Sequence, residues 1–263
     1  IPQGPGFIPN KIADGFLRPY LRKNFSCGVR AYCSGLYTCV TGSGKSSWSQ
    51  AAAKSREMVT SFIVLSVGEQ YSMLMQRVLE PEVMDTAEDA ATYDAMDHSA
   101  VNDLFIARLK TLGVDGLCLD IGCGPGHIPL QLVTECPHVD VVALDLSKNM
   151  LLAALEHQKE CANGEQVEFV HADAKGIGSE DNSFDSVFSN SILHHIPEPI
   201  DFLREAWRVL KPGGMLLIRD LFRPDSEERA RELVAMYAVE ESQHAQDLFY
   251  DSLCAALRPD ELD

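Results

Sequence analysis

The chain has 263 residues, 46% of them hydrophobic and 23% charged, a size and balance that supply one good core with room for an appendage. Its net charge of −17 is uneven: residues 1–75 hold eight Lys/Arg against three Asp/Glu, and the remainder holds 14 against 36. So acidic a body excludes nucleic acid as the expected partner, because phosphate neutralisation by Lys and Arg supplies most non-specific affinity. A membrane span is excluded too, since the nearest apolar run, Phe62–Val67, falls far short of the roughly 20 residues one requires.

Residues 1–72 are rich in Ser, Gly, Ala and Arg, poor in acids and weakly periodic. They are expected to form an N-terminal extension, either a targeting peptide or a disordered segment, ahead of a single domain over 73–263. A targeting role would direct the protein to an organelle such as a plastid; otherwise the cytoplasm is expected. Within the extension, "CVTGSGKSS" ends like a phosphate loop at Gly44-Lys45-Ser46, but the leading glycine position is Cys39, so a Ser/Gly linker is the better account. Cys27, Cys33 and Cys39 recur every six residues without a CxxC pair. No metal site is expected from them, and the eight cysteines are read as reduced thiols of an intracellular protein.

From Met73 the pattern becomes regular. Residues 86–112 predict helix, Leu117–Ile121 a strand and His127–Cys136 a helix whose first turn tolerates Pro129. Val139–Leu146 reads as a buried strand, and Ser147 as the N-cap of a helix reaching Cys161. Val167–Asp173 and Phe184–Asn190 are further strands. Leu203, Ala206, Trp207 and Leu210 share one helical face, "KPGG" turns the chain into the strand Met215–Leu221, and Ser226–Leu257 is again helical. Such alternation predicts an α/β fold, a Rossmann-like, doubly wound and mostly parallel sheet with helices on both faces. Ligands of such sheets bind beyond the carboxyl ends of the strands.

The chemistry-bearing residues fall at those ends. Gly122-Cys123-Gly124-Pro125-Gly126 turns the first strand into the first helix, and its missing side chains admit a ligand to the backbone. The third glycine arrives one residue too early for the dinucleotide fingerprint. Asp145 closes the second strand, where a carboxylate accepts hydrogen bonds from both ribose hydroxyls. Asp173 closes the third and is placed for an adenine amino group. Each aspartate has an alternative use, capping the helix that follows it.

Together "LDIGCGPG", "VVALDLS", "VHADAKGIGSEDNSFDSVFSNSILHHI" and "RVLKPGGMLLIRD" resemble the class I S-adenosylmethionine-dependent methyltransferases, over roughly Tyr93 to Phe222. The style is that of the ubiquinone/menaquinone methyltransferases, which act on small molecules. The resemblance implies that S-adenosyl-L-methionine is the cofactor, with Asp120 and Gly122 at its methionine end and Gly124 against its backbone-facing side. It places Asp145 on the ribose, Leu146 and Met150 against the adenine ring, and Asp173 and Ala174 at the adenine edge. Asn190 would face the methionine moiety, and Tyr93, in "YDAMDH", would close over the cofactor.

Methyl transfer from a sulfonium needs mainly an oriented nucleophile, and a base only when the acceptor must lose a proton. His194 and His195 follow the fourth strand, and His195 is the candidate base. As zinc ligands the pair lacks further partners in the sequence. "SNSILHH" is not the Asn/Asp-Pro-Pro-aromatic signature of amino-methylating nucleic-acid enzymes, which favours a small-molecule acceptor. Family members usually end in an antiparallel strand pair, and no such pair precedes Asp263; the sheet edge is therefore expected to be unpaired. The rival readings are an NAD(P)-dependent oxidoreductase and a non-catalytic cofactor-binding protein.

Overall fold

The computed structural model describes residues 36–41, 74–81 and 85–262, the first of these stretches by its backbone only. The phosphate-loop-like Gly44-Lys45-Ser46, Cys27 and Cys33 lie outside the described residues. In chain order the strands are β1 (Leu36–Thr41), β2 (Gly116–Ile121), β3 (Val139–Asp145), β4 (Val167–His171), β5 (Phe184–Asn190) and β6 (Leu210–Leu221). The helices are α1 (Ala87–Ala95), α2 (Ser99–Leu112), α3 (His127–Glu135), α4 (Lys148–Glu160), α5 (Pro199–Val209), α6 (Glu227–Tyr237) and α7 (Gln243–Ala255).

All six strands form one sheet in the order β1-β6-β5-β2-β3-β4, with β2 to β6 parallel. The chain winds outward from β2 through β3 to β4, then returns to β5 on the other side of β2. That reversal opens a crevice beyond the carboxyl ends of β2 and β5. Alternate strand residues feed opposite faces, as the pleat dictates. Cys118, Val141, Phe188 and Leu217 pack with Phe105, Leu109, Leu132 and Val133 on one side. Leu119, Ile121, Val187 and Ile218 pack with Phe202, Ala206 and Val209 on the other.

The free edge anticipated from the sequence is covered. Strand β1, from within the segment read as an extension, pairs antiparallel with β6 from Leu36↔Leu221 to Thr41↔Leu216. Its sequence, LYTCVT, is rich in aromatic and β-branched residues suited to a pleated surface. Among the described residues no strand follows β6, so the edge is closed from the N-terminal side.

Three other elements differ from expectation. The single helix foreseen over 86–112 is two, because Met96 turns extended (ψ 141°) and the Asp97 side chain accepts the Ser99 N–H to start α2. The Lys211–Gly214 turn is absorbed into β6 as an irregularity, pairing passing from Phe184↔Leu210 to Ser186↔Met215. The C-terminal helical region divides into α6 and α7, the second capped by Ser242 accepting the Ala245 N–H.

Candidate active site

Beyond β2 and β5 lies a cavity of about 630 Å³, and every residue singled out from the sequence lines it: Asp120, Gly122, Gly124, Asp145, Leu146, Met150, Asp173, Ala174, Asn190 and His195, with Tyr93. Residues from four strand ends therefore converge on one space, as the winding of the sheet requires.

The glycine turn is built by left-handed backbone. Gly122, Gly124 and Gly126 have φ of 77°, 54° and 79°, values that only glycine reaches without strain. A Cβ on Gly122 would sit 2.2 Å from Ile192 Cγ2, and one on Gly126 would sit 2.8 Å from Phe169 Cζ. These two pack against protein. At Gly124 the nearest atom would be Tyr93 Cε1 at 3.8 Å, which leaves its backbone open to the cavity.

Asp145 serves two purposes at once. Its Oδ2 accepts the Gly124 N–H and its Oδ1 the Ser147 N–H, each at 2.8 Å, so it ties the glycine turn to the start of α4. The Leu146 N–H also bonds this carboxylate, whose two oxygens offer about four acceptor sites in all, so acceptor capacity remains for a ligand hydroxyl. Burial raises the Asp145 pKa, against the pull of those N–H groups. Asp173 is more exposed; its Oδ1 accepts the Lys175 N–H at 2.8 Å in a local turn, and no helix starts there for it to cap.

Asp120 is the residue best fitted to hold a polar ligand group. It is 1% exposed, and its Oδ2 is buried with no hydrogen-bond partner among the described residues. Burial, then the neighbouring Asp145 charge, pushes its pKa well above the carboxylate range. An unmet buried acceptor of this kind is costly, and a cationic amino group entering the cavity would satisfy it.

The histidine pair has partners that the sequence did not reveal. His194 is buried; its Nδ1 lies 2.6 Å from Asp220 Oδ1, and its Nε2 lies 3.6 Å from Glu80 Oε1. His195 Nδ1 lies 3.3 Å from the same Glu80 oxygen, and the two rings are 4.3 Å apart. Glu80 is delivered by the segment 74–81, which Arg77 anchors by donating to the carbonyls of His194, Ile196, Pro197 and Ala255. Burial opposes the charge on His194, but Asp220 and Glu80 outweigh it and its pKa rises. Burial, then the adjacent His194 charge, drives His195 down to about 3.

Asn190 is held by a residue the sequence reading passed over. Arg219, 7% exposed, donates from Nε to Asn190 Oδ1 at 2.7 Å, reaches Val101 O at 3.2 Å, and lies 4.7 Å over the Phe105 ring. Arg219 and Asp220 interrupt an otherwise apolar strand, MLLIRDL, and that interruption is the signal from which both could have been found. Helices α6 and α7 roof the acceptor end with Leu233, Tyr237, Leu248, Phe249 and Leu253.

Residues 119–218 match a family described as a methyltransferase domain. The demethylmenaquinone methyltransferase of Listeria welshimeri is 39% identical over 108 residues, covering 41% of this chain and 45% of that protein. Its counterpart in Staphylococcus aureus is 38% identical over 119 residues, covering 44% and 48%. The chain thus matches about half the length of these relatives. A plantazolicin methyltransferase, BpumL, solved with S-adenosylhomocysteine and a substrate analogue, superposes with a TM-score of 0.52 at 21% identity, over 64% of this chain and 63% of that one; this likeness is one of fold. The motifs, the sheet order and the family match over residues 119–218 together make this part of the chain similar to a methyltransferase domain.

Proposed function

We propose that this protein transfers the methyl group of S-adenosyl-L-methionine to a small, largely apolar acceptor. The observation that carries the reading is the buried, unpartnered Asp120 Oδ2 in the same cavity as the open Gly124 backbone and the Asp145 carboxylate. An ammonium group, an extended backbone-like chain and a ribose diol in one ligand meet these three features.

When bound, the cofactor supplies a methyl group already activated on a sulfonium. Asp120 holds the amino group, Asp145 the ribose hydroxyls, and Leu146 and Met150 give the adenine ring an apolar seat. Asp173 and Ala174 border its edge, and Asn190, fixed by Arg219, faces the methionine portion. The α6–α7 roof excludes water from the acceptor and positions it, which is where most of the rate enhancement for such a transfer resides.

The proton-accepting role foreseen for His195 is better filled by its neighbour. A ring that stays neutral down to about pH 3 is too weakly basic to take a proton at neutral pH. His194 lines the same cavity. Asp220 accepts its Nδ1–H, leaving Nε2 as the acceptor of a proton and stabilising the imidazolium that forms. A hydroxyl or enol acceptor of the quinone-precursor type suits this end, in keeping with the named relatives.

The five described cysteines are unpaired, which supports the intracellular setting expected from the sequence. No described helix is long and apolar enough to cross a membrane. Calorimetric titration with S-adenosyl-L-methionine and with NAD, followed by transfer of labelled methyl to phenolic and quinol acceptors, tests the reading. Binding of the sulfonium cofactor and label in a small product are expected. Tight NAD binding alone would overturn it in favour of an oxidoreductase, and cofactor binding without any transfer in favour of a non-catalytic binding protein.

A further inference from the structure

Away from the acceptor end, three side chains from three helices meet on the outer side of the glycine turn. Asp94 of α1, in the "YDAMDH" stretch, lies between His127, the first residue of α3, and His157 of α4. His127 Nε2 is 2.9 Å from Asp94 Oδ1 and His157 Nε2 is 3.3 Å from Oδ2, with the two imidazoles stacked at 4.8 Å.

The hydrogen bonding around His157 shows what this arrangement lacks. Its Nδ1 lies 2.9 Å from the carbonyl oxygen of Pro125. A carbonyl only accepts, so Nδ1 carries the hydrogen, and Nε2 of the neutral ring is then a bare lone pair. That lone pair faces a carboxylate oxygen, an arrangement that calls for a cation between them, either a proton or a metal ion. At His127 the approach is short, and Asp94 Oδ1 is buried without a well-formed hydrogen bond.

Two imidazole nitrogens and a carboxylate within 4.8 Å of one another are a zinc-type donor set. Bonds of about 2.0–2.1 Å in tetrahedral geometry put donor atoms about 3.3 Å apart, and the Asp94 carboxylate approaches the two imidazole nitrogens at 2.9 and 3.3 Å through different oxygens. Pro125 O supplies the backbone acceptor that fixes the tautomer and aim of a ligating histidine. The three side chains are between a quarter and about a third exposed, which leaves a coordination position open to water.

We propose that Asp94, His127 and His157 form a site for a divalent transition metal of the zinc class, completed by water. The ion pins α1 to the start of α3 and the last turn of α4, and so holds Tyr93, adjacent to Asp94, over Gly124. The other group with metal-compatible spacing, Glu80, His194 and His195, lines the acceptor cavity, and there His194 Nδ1 is already taken by Asp220. The site does not depend on the methyl-transfer reading.

The full chain, stripped of metal with a chelator, is titrated with zinc(II) by calorimetry and with cobalt(II) by visible absorption. One equivalent of tight binding is expected, weakened at least tenfold in the near-isosteric Asp94→Asn and in His157→Gln, and unchanged in the surface control His138→Gln. Zinc is also expected to slow hydrogen exchange of the α1 amides in the wild type and not in Asp94→Asn. Absence of stoichiometric binding, or wild-type affinity in both ligand variants, overturns the proposal. Loss of the metal in Glu80→Gln with retention in Asp94→Asn would overturn it by moving the ion to the acceptor end.

Discussion

Asp220 grips His194 and the turn that carries it at the same time: Oδ1 lies 2.6 Å from His194 Nδ1, and Oδ2 accepts the Leu193 N–H at 2.5 Å. The carboxylate therefore sets both the position of the ring and its tautomer. Asp220→Asn presents an amide where an acceptor is needed, so either Nδ1 loses its partner or the backbone N–H does. Turnover is expected to fall by about 10²–10⁴, the usual contribution of a positioned base, with cofactor affinity unchanged. Steady-state rates together with a binding titration check this; a variant with normal turnover would remove His194 from the chemistry.

Asp145 predicts the reverse pattern. Its two oxygens fix the Gly124 and Ser147 amides and keep acceptor capacity for a ligand hydroxyl. Asp145→Ala is expected to weaken S-adenosyl-L-methionine binding by about 1–3 kcal/mol, the cost of leaving polar partners unmet. Calorimetry reads this directly, and an unchanged dissociation constant would take the ribose off Asp145.

The two glycines flanking Cys123 separate folding from binding. Gly122→Ala meets both a left-handed φ of 77° and Ile192 Cγ2 at 2.2 Å, and should cost several kcal/mol of stability, on the order of 2–4. Gly124→Ala has the same handedness but no atom nearer than 3.8 Å, so about 1–2 kcal/mol is expected from backbone strain alone. Its methyl, however, enters the cavity and should weaken the cofactor. Chemical denaturation and binding measured on both variants distinguish the two.

The legibility of this fold in the sequence follows the range of the interactions involved. The strands β2 to β6 and the glycine turn announce themselves through short apolar runs and local backbone demands, so the convergence of Asp120, Asp145, Asp173 and Asn190 on one cavity could be anticipated. Glu80 and His194 are 114 positions apart, and nothing local in the segment around Glu80 indicates that Arg77 will fasten it to the carbonyls of His194 and Ile196. The pairing of β1 with β6 is longer still in range, which is why the sheet edge read as free. The proposal of His194 over His195 as the base has a subtler origin. Two consecutive histidines look alike in sequence, and only the third dimension gives one of them an aspartate and the other only that neighbour's ring.

That same neighbour predicts an acid sensitivity. His195 ordinarily titrates near 6.5, and burial with the adjacent His194 lowers it to about 3 in the folded protein. Between those two values the unfolded chain binds the proton and the folded chain does not. The native state therefore keeps this contribution above pH 6.5 and loses it progressively as pH falls toward 3. His194 has a raised pKa and works in the opposite sense, but it is common to the wild type and a His195 variant. His195→Gln is therefore expected to lose about 1–2 kcal/mol less stability than the wild type between pH 7.5 and pH 5. Urea denaturation at the two pH values measures the difference. Parallel losses in both proteins would mean that His195 is protonated in the fold as readily as in the unfolded chain.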